Sequence, residues 1–198
     1  ERVKSRVRKF CEGSIDDLSN FPANSFDAVL CTGGTLSHVL DARDRARAVA
    51  ELGRVARPGA PIVTSVMSRL SVLVVVLDQD FTEIGMSHFD QMRDSGDYHG
   101  EYGFTACHFF LPEELHAAFQ RENVTILEMA GLEGISSHHR KVLNRLAKKK
   151  PLWDKWLETH YQTCTHPSVV GLSEHMLIVC KKNGTGEVEP IAPAVRLT

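Results

Sequence analysis

Residues 25–41 read SFDAVLCTGGTLSHVLD. The run from Phe26 to Cys31 is almost continuously apolar and of strand length, which predicts a strand covered on both faces. It opens into Thr32-Gly33-Gly34 and a polar loop carrying Ser37 and His38, and Asp41 stands where a helix N-cap belongs. Paired glycines at a strand's end mean either that the backbone turns through dihedrals closed to other residues or that something approaches it closely. Beyond them, ARDRARAVAELGRVA places Ala46, Val49, Leu52 and Ala56 on one helical face. Pro58 and Gly59 stop that helix, and PIVTSV, residues 61–66, reads as a second strand. Strand, helix and strand at this spacing form a βαβ crossover with a parallel pair.

Further along, LPEELHAAFQREN predicts a helix opening at Pro112 with acids in its first turn. VTILEMAGLEG begins as a strand, residues 138–163 read as helical, and Glu174 to Lys181 form the last strand. Arg8 to Glu12 is a candidate short strand, with Phe10 and Cys11 as its apolar part. Val142, Leu143 and Leu146 are expected to face inward behind the basic stretch HHRKVLNRLAKKK, and Trp153 and Trp156 read as core residues. Between Val66 and Pro112 lies an irregular block crowded with aromatic and histidine residues. A block of this length past a strand's carboxyl end is a lid or binding element, or a satellite helical subdomain with its own small core. The tail from Asn183 is rich in Gly and Pro and is expected to fray.

The chain has 198 residues and a net charge of −2, so one domain is expected and nothing global draws it to nucleic acid. Its five cysteines include no CxxC pair, which argues against a zinc site or disulfide framework and for a reducing, cytoplasmic setting. The longest apolar run, Leu70 to Leu77, is far shorter than the roughly 20 residues a membrane helix needs. No HExxH-like metal spacing is present. The chain opens on what reads as mid-helix, ERVKSRV.

The string EGSIDDL, FPANSFDAVLCTGGTLSHV and ELGRVARPGAPIVTSV, in that order, resembles the class I S-adenosylmethionine-dependent methyltransferases, closely over residues 10–66 and loosely beyond. GLSEHMLIVCKK is similar to that family's last strand, which is antiparallel to the others. The resemblance implies an α/β, Rossmann-like methyltransferase sheet with residues 67–110 as a helical and aromatic cap. It implies S-adenosyl-L-methionine as cofactor, held by Gly13, Ser14 and Ile15 on the adenine side and by Cys31, Thr32, Gly33 and Leu36 on the methionine side. Ser14 stands where the family carries an acid, and Gly59-Ala60 where it carries a glycine pair. The family's glycine-rich loop and second-strand acid have no counterpart here. On this reading residues 1–182 are a partial methyltransferase domain lacking the first two strands, 183–198 a flexible tail, and the chain alone is inactive.

Methyl transfer needs alignment of nucleophile and methyl, exclusion of water and sometimes a proton acceptor. His38, past the glycine corner, is the catalytic candidate. Arg69, Tyr98, His99, Tyr102 and His108 are the substrate-binding candidates, with glycines 96, 100 and 103 lending that stretch freedom to move. The expected acceptor is a small molecule. The alternatives are a non-catalytic binding or scaffold member of the same fold and an RNA methyltransferase using the basic stretch.

Overall fold

The computed structural model describes residues 6–184; the predicted tail beyond Gly184 lies outside them. The chain enters the sheet at β1 (Val29–Cys31) and crosses through α1 (Ala42–Val55) to β2 (Pro61–Met67), which pairs with β1 in parallel. Asp41 caps α1, its carboxylate accepting from the backbone N–H of Arg43 at 2.7 Å and of Asp44 at 3.3 Å. The buried stripe of α1 is Ala48, Val49, Leu52 and Val55. Ala46, expected on that stripe, is exposed, and Ala48 takes the inward place. The predicted strand over 26–31 shortens to its last three residues, with Phe26 keeping a single bridge to Ala56.

The block after β2 is regular rather than irregular. It contains α2 (Arg69–Gln79), α3 (Ser87–Asp94) and a two-stranded ribbon of β3 (Asp97–Tyr98) and β4 (Cys107–His108). The β-branched run in α2 is helical against its propensity. Ser68 caps it, and Val76 joins Met92, Tyr98, Cys107 and Phe109 in a separate small core. Of the two expectations for this block, the satellite subdomain with its own small core is the one these elements form.

The chain returns through α4 (Pro112–Gln120) to β5 (Val124–Gly131), then α5 (Arg140–Leu146), α6 (Lys150–Thr163), α7 (Pro167–Val170) and β6 (His175–Lys182). The sheet order is β1-β2-β6-β5, and β6 runs antiparallel to both neighbours. Leu36, Ile62, Leu115, Phe119, Met176 and Ile178 fill the main core.

Three expectations give way here. Residues 8–12 form no strand and pair with none of the described strands, and Phe10 is 88% exposed. Val142 is exposed, and Trp153 and Trp156 are half-buried rather than core; the indole N–H of Trp156 donates to Ser136 Oγ at 2.8 Å. Among the described residues nothing pairs with the outer edge of β1, where Leu30 is 71% exposed. No described helix is long and apolar enough to cross a membrane.

Candidate functional site

In an open sheet of this kind, ligands gather past the carboxyl ends of the parallel strands. Here that edge carries Cys31 to His38 after β1 and Met67 to Arg69 after β2. Gly33 and Gly34 have φ of +79° and +75°, so the corner turns through two successive left-handed residues. Space is also kept at Gly33, where an added Cβ would meet nothing within 4 Å. Its N–H donates to Ser65 Oγ at 3.0 Å, and Ser37 Oγ accepts from the backbone of Met67 at 3.0 Å. The loop after β1 is thus stitched to β2.

Two hollows flank this edge. The first, about 360 Å³, lies on the open side of β1 and is lined by Ile15, Leu18, Phe26, Leu30, Cys31, Thr32 and Thr35. It brings together three of the predicted cofactor residues, Ile15, Cys31 and Thr32. Gly13 and Ser14 are exposed just before Ile15, and the Ser14 hydroxyl donates to Asp16. Asp16 is not a free loop charge. It pairs with Arg47 at 2.7 Å, and the hydrogen bonds from Ser14 and Arg47 hold its carboxyl below the usual range. Leu36 belongs to the core rather than the hollow: its side chain is fully buried against the sheet.

The second hollow, about 440 Å³, lies under the cap past β2. Met67, Val72, Val75, Val76, Met92, Phe104 and Phe109 make its apolar wall, with Tyr98 and Tyr102. The Tyr102 hydroxyl donates to Asp80 at 2.8 Å, while that of Tyr98 bonds the backbone of Tyr102. His38 is exposed, with Nδ1 3.2 Å from the Ala106 carbonyl and its ring beside Phe104. His99 bonds Gln91 at 2.9 Å and does not line the cavity.

Arg69 and His108 are corrected by the structure from substrate contacts to interior struts. Arg69 is 7% exposed, and its guanidinium donates to the carbonyls of Ser95 and Phe109 and to Glu114 at 2.9 Å. His108 lies between Asp97 at 2.7 Å and Glu114 at 2.6 Å. Burial is the largest single influence and pushes both carboxyls up, but the hydrogen bond and attraction of His108, with smaller contributions from Ser95 and Arg45 at Asp97 and from Arg69 and the Leu111 backbone at Glu114, together hold them below their usual values. Both ring nitrogens of His108 and most of the Arg69 guanidinium donors are thereby taken within the protein. Gly96 is likewise a packing glycine rather than a hinge: at φ +84°, a Cβ there would sit 2.2 Å from the Phe109 carbonyl.

The remaining polar groups of the cavity were not legible as a site. Ser68, Ser71, Gln79, Asp80, Glu83, Glu174 and His175 line it. The Ser71 hydroxyl is 3.0 Å from His138 Nε2, and His138, at φ +66°, donates its backbone N–H to Glu174 at 2.8 Å. His175 Nδ1 lies 2.9 Å from Glu133, whose other oxygen accepts from the His175 backbone at 2.8 Å and from Ser173 Oγ at 2.9 Å. The Glu133 hydrogen bond pushes the His175 imidazole up. Burial raises the Glu133 carboxyl, but its hydrogen bonds from His175 and Ser173 outweigh that and hold it low. The usable signal was the antiparallel last strand. Because β6 runs against β2, its beginning reaches the functional edge, with His175 opposite Met67. The buried thiols of Cys107 and Cys180 are pushed up to about 12 and offer no thiolate nucleophile.

Residues 1–64 match a family model described as a methyltransferase domain. The sequence has no match among curated proteins. Among solved structures it is similar to an S-adenosylmethionine-dependent methyltransferase from Methanosarcina mazei, at 17% identity and TM-score 0.54, covering 88% of this chain and 67% of that one. It is similar to another from Mesorhizobium loti at 13% identity and TM-score 0.53, covering 91% and 74%. A third, from Clostridium acetobutylicum, gives 10% identity and TM-score 0.52, covering 92% and 68%. The chain thus spans about two thirds of the length of two of these structures. Over residues 1–64 the sequence thus matches a methyltransferase-domain family, and the fold of the described residues is similar to those of solved S-adenosylmethionine-dependent methyltransferases.

Proposed function

We propose that the protein transfers a methyl group from S-adenosylmethionine to a small, largely apolar molecule held under the cap. The observation that carries this reading is the 440 Å³ apolar cavity past β2, beside the same strand-end edge as the glycine corner. A cavity of that size and lining suits a small organic ligand.

The residues present fit the cofactor on one side. Ile15, Cys31 and Thr32 line one hollow, and Gly33 leaves open space beside them. Ile15 would lie against the adenine, and the Cys31 to Gly33 backbone beside the methionine part. Bound there, S-adenosylmethionine supplies an electrophilic methyl carbon on a sulfonium. The protein's own contribution is positioning and dryness: the cap walls exclude water, and Met67 joins the glycine corner to the cavity wall. An added Cβ at Gly34 would meet Met67 Cγ at 3.5 Å. The unpaired edge of β1 supports the reading that the other wall of the cofactor site comes from sequence beyond the described residues. The 198-residue chain by itself is then expected to hold the cofactor weakly.

Calorimetry with S-adenosylhomocysteine on the protein as encoded by its gene tests this reading. Gly33→Val is expected to weaken binding at least tenfold, roughly 1.4 kcal/mol, while Tyr102→Ala leaves it within about fivefold. No binding by the natural protein, or equal loss in both variants, would overturn the separation into a cofactor corner and an acceptor cavity.

A further inference from the structure

The cavity contains a histidine already set up to take a proton. We propose that His175 is the proton acceptor of the reaction, with Glu133 as its positioning residue, and that the acceptor is an apolar molecule bearing an uncharged hydroxyl or amine. This rests on the methyl-transfer reading above.

The geometry is specific. Glu133 grips His175 at two points, the ring Nδ1 at 2.9 Å and the backbone N–H at 2.8 Å. Its second oxygen is itself held by Ser173 Oγ, which also accepts from the backbone N–H of Gly134 at 3.0 Å. A carboxylate on Nδ1 fixes the tautomer that leaves Nε2 as a free lone pair. His175 lines the cavity, and its Nε2 has no hydrogen-bond partner among the described residues. Among the described residues His175 is the only imidazole in the cavity's lining; His38, with Nδ1 3.2 Å from the Ala106 carbonyl, lies outside that lining. His138 Nε2 is taken by Ser71, His88 Nε2 by Glu83, and both nitrogens of His108 by carboxylates.

The charge of the lining selects the acceptor. Asp80, Glu83 and Glu174 line the cavity, which has no lysine or arginine in its wall. An anionic acceptor would meet carboxylates with no cation to answer it, whereas an uncharged protic group would not. Such a group must lose its proton. Its heteroatom's electron pair forms the bond to the methyl carbon, the carbon–sulfur pair leaves with sulfur, and the proton goes to His175 Nε2.

Nitrogen-15 magnetic resonance of histidine-labelled protein reads the tautomer directly. Neutral His175 is expected to carry its proton on Nδ1, and Glu133→Gln to lower its titration midpoint. A proton on Nε2, or an unmoved midpoint, overturns the assignment. Labelled methyl transfer to 2-naphthol and 2-naphthylamine reads the chemistry. Here His175→Gln should lower the rate by about a hundredfold or more while S-adenosylhomocysteine binding stays within threefold. Undiminished transfer in the variant, or transfer to neither probe by wild-type protein that binds S-adenosylhomocysteine, also overturns it. Failure to bind S-adenosylhomocysteine at all sinks the methyl-transfer reading instead, and with it this role.

Discussion

The two sides of the strand-end edge are built by opposite means. On the β1 side the wall is a short strand edge, a turn and apolar side chains: a three-residue strand, a double-glycine corner, and Leu30 exposed with no described strand beside it. On the cap side the wall is side chains locked by other side chains. Arg69, Asp97, His108 and Glu114 tie α2, the β3–β4 ribbon and α4 into one network beneath the cavity. The difference teaches where each side draws its rigidity. The first holds its shape through dihedrals and leaves room for a ligand. The second holds its shape through satisfied charges and leaves none at the network itself.

The largest expected effect is on the network. Arg69→Ala removes the cation from Glu114, strands the buried carbonyl of Phe109 and takes a donor from that of Ser95. Breaking a largely buried pair in this way costs about 3–5 kcal/mol. Urea unfolding should show it, and a loss below 1 kcal/mol would mean that the cap does not depend on the network.

The paired glycines give the next contrast. Gly33→Ala and Gly96→Ala impose nearly the same left-handed strain, at φ +79° and +84°. At Gly33 the added methyl meets open space, so about 1–2 kcal/mol is expected. At Gly96 it also meets the Phe109 carbonyl and the Arg69 guanidinium, raising the loss to about 3 kcal/mol or more. Equal losses in thermal unfolding would erase the distinction between an open corner and a packed one.

The smallest effect is on acid stability. Asp97 and Glu114 are held below their usual values in the folded protein. Their contribution is therefore complete above the ordinary carboxylate range, near 4, and is lost as pH falls through the lowered folded values. The urea midpoint should drop below about pH 4, and Asp97→Asn should flatten that drop. An unchanged acid profile in the variant would show that the His108 bridge contributes nothing there.

The sequence by itself determined the strand–helix–strand unit, the Asp41 cap, the glycine corner and the final strand. Each is a local matter: apolar period, a capping side chain, a backbone that needs glycine. It also marked residues 67–110 as more than a connector, from the number of aromatics in one block. Only the tertiary structure decided what the polar residues of that block do. Arg69 and His108 look like substrate groups in a list of residues, yet their partners, Glu114, Asp97 and the carbonyls of Ser95 and Phe109, are set beside them only by the fold. His175 looked like the unremarked start of a strand. It became a candidate base because β6 runs antiparallel, which carries its first residue to the edge where β2 ends, and because Glu133, 42 positions earlier, meets its ring there. Direction and pairing of strands are long-range properties, set by how the core closes, so the side chains they bring together cannot be read from either neighbourhood alone.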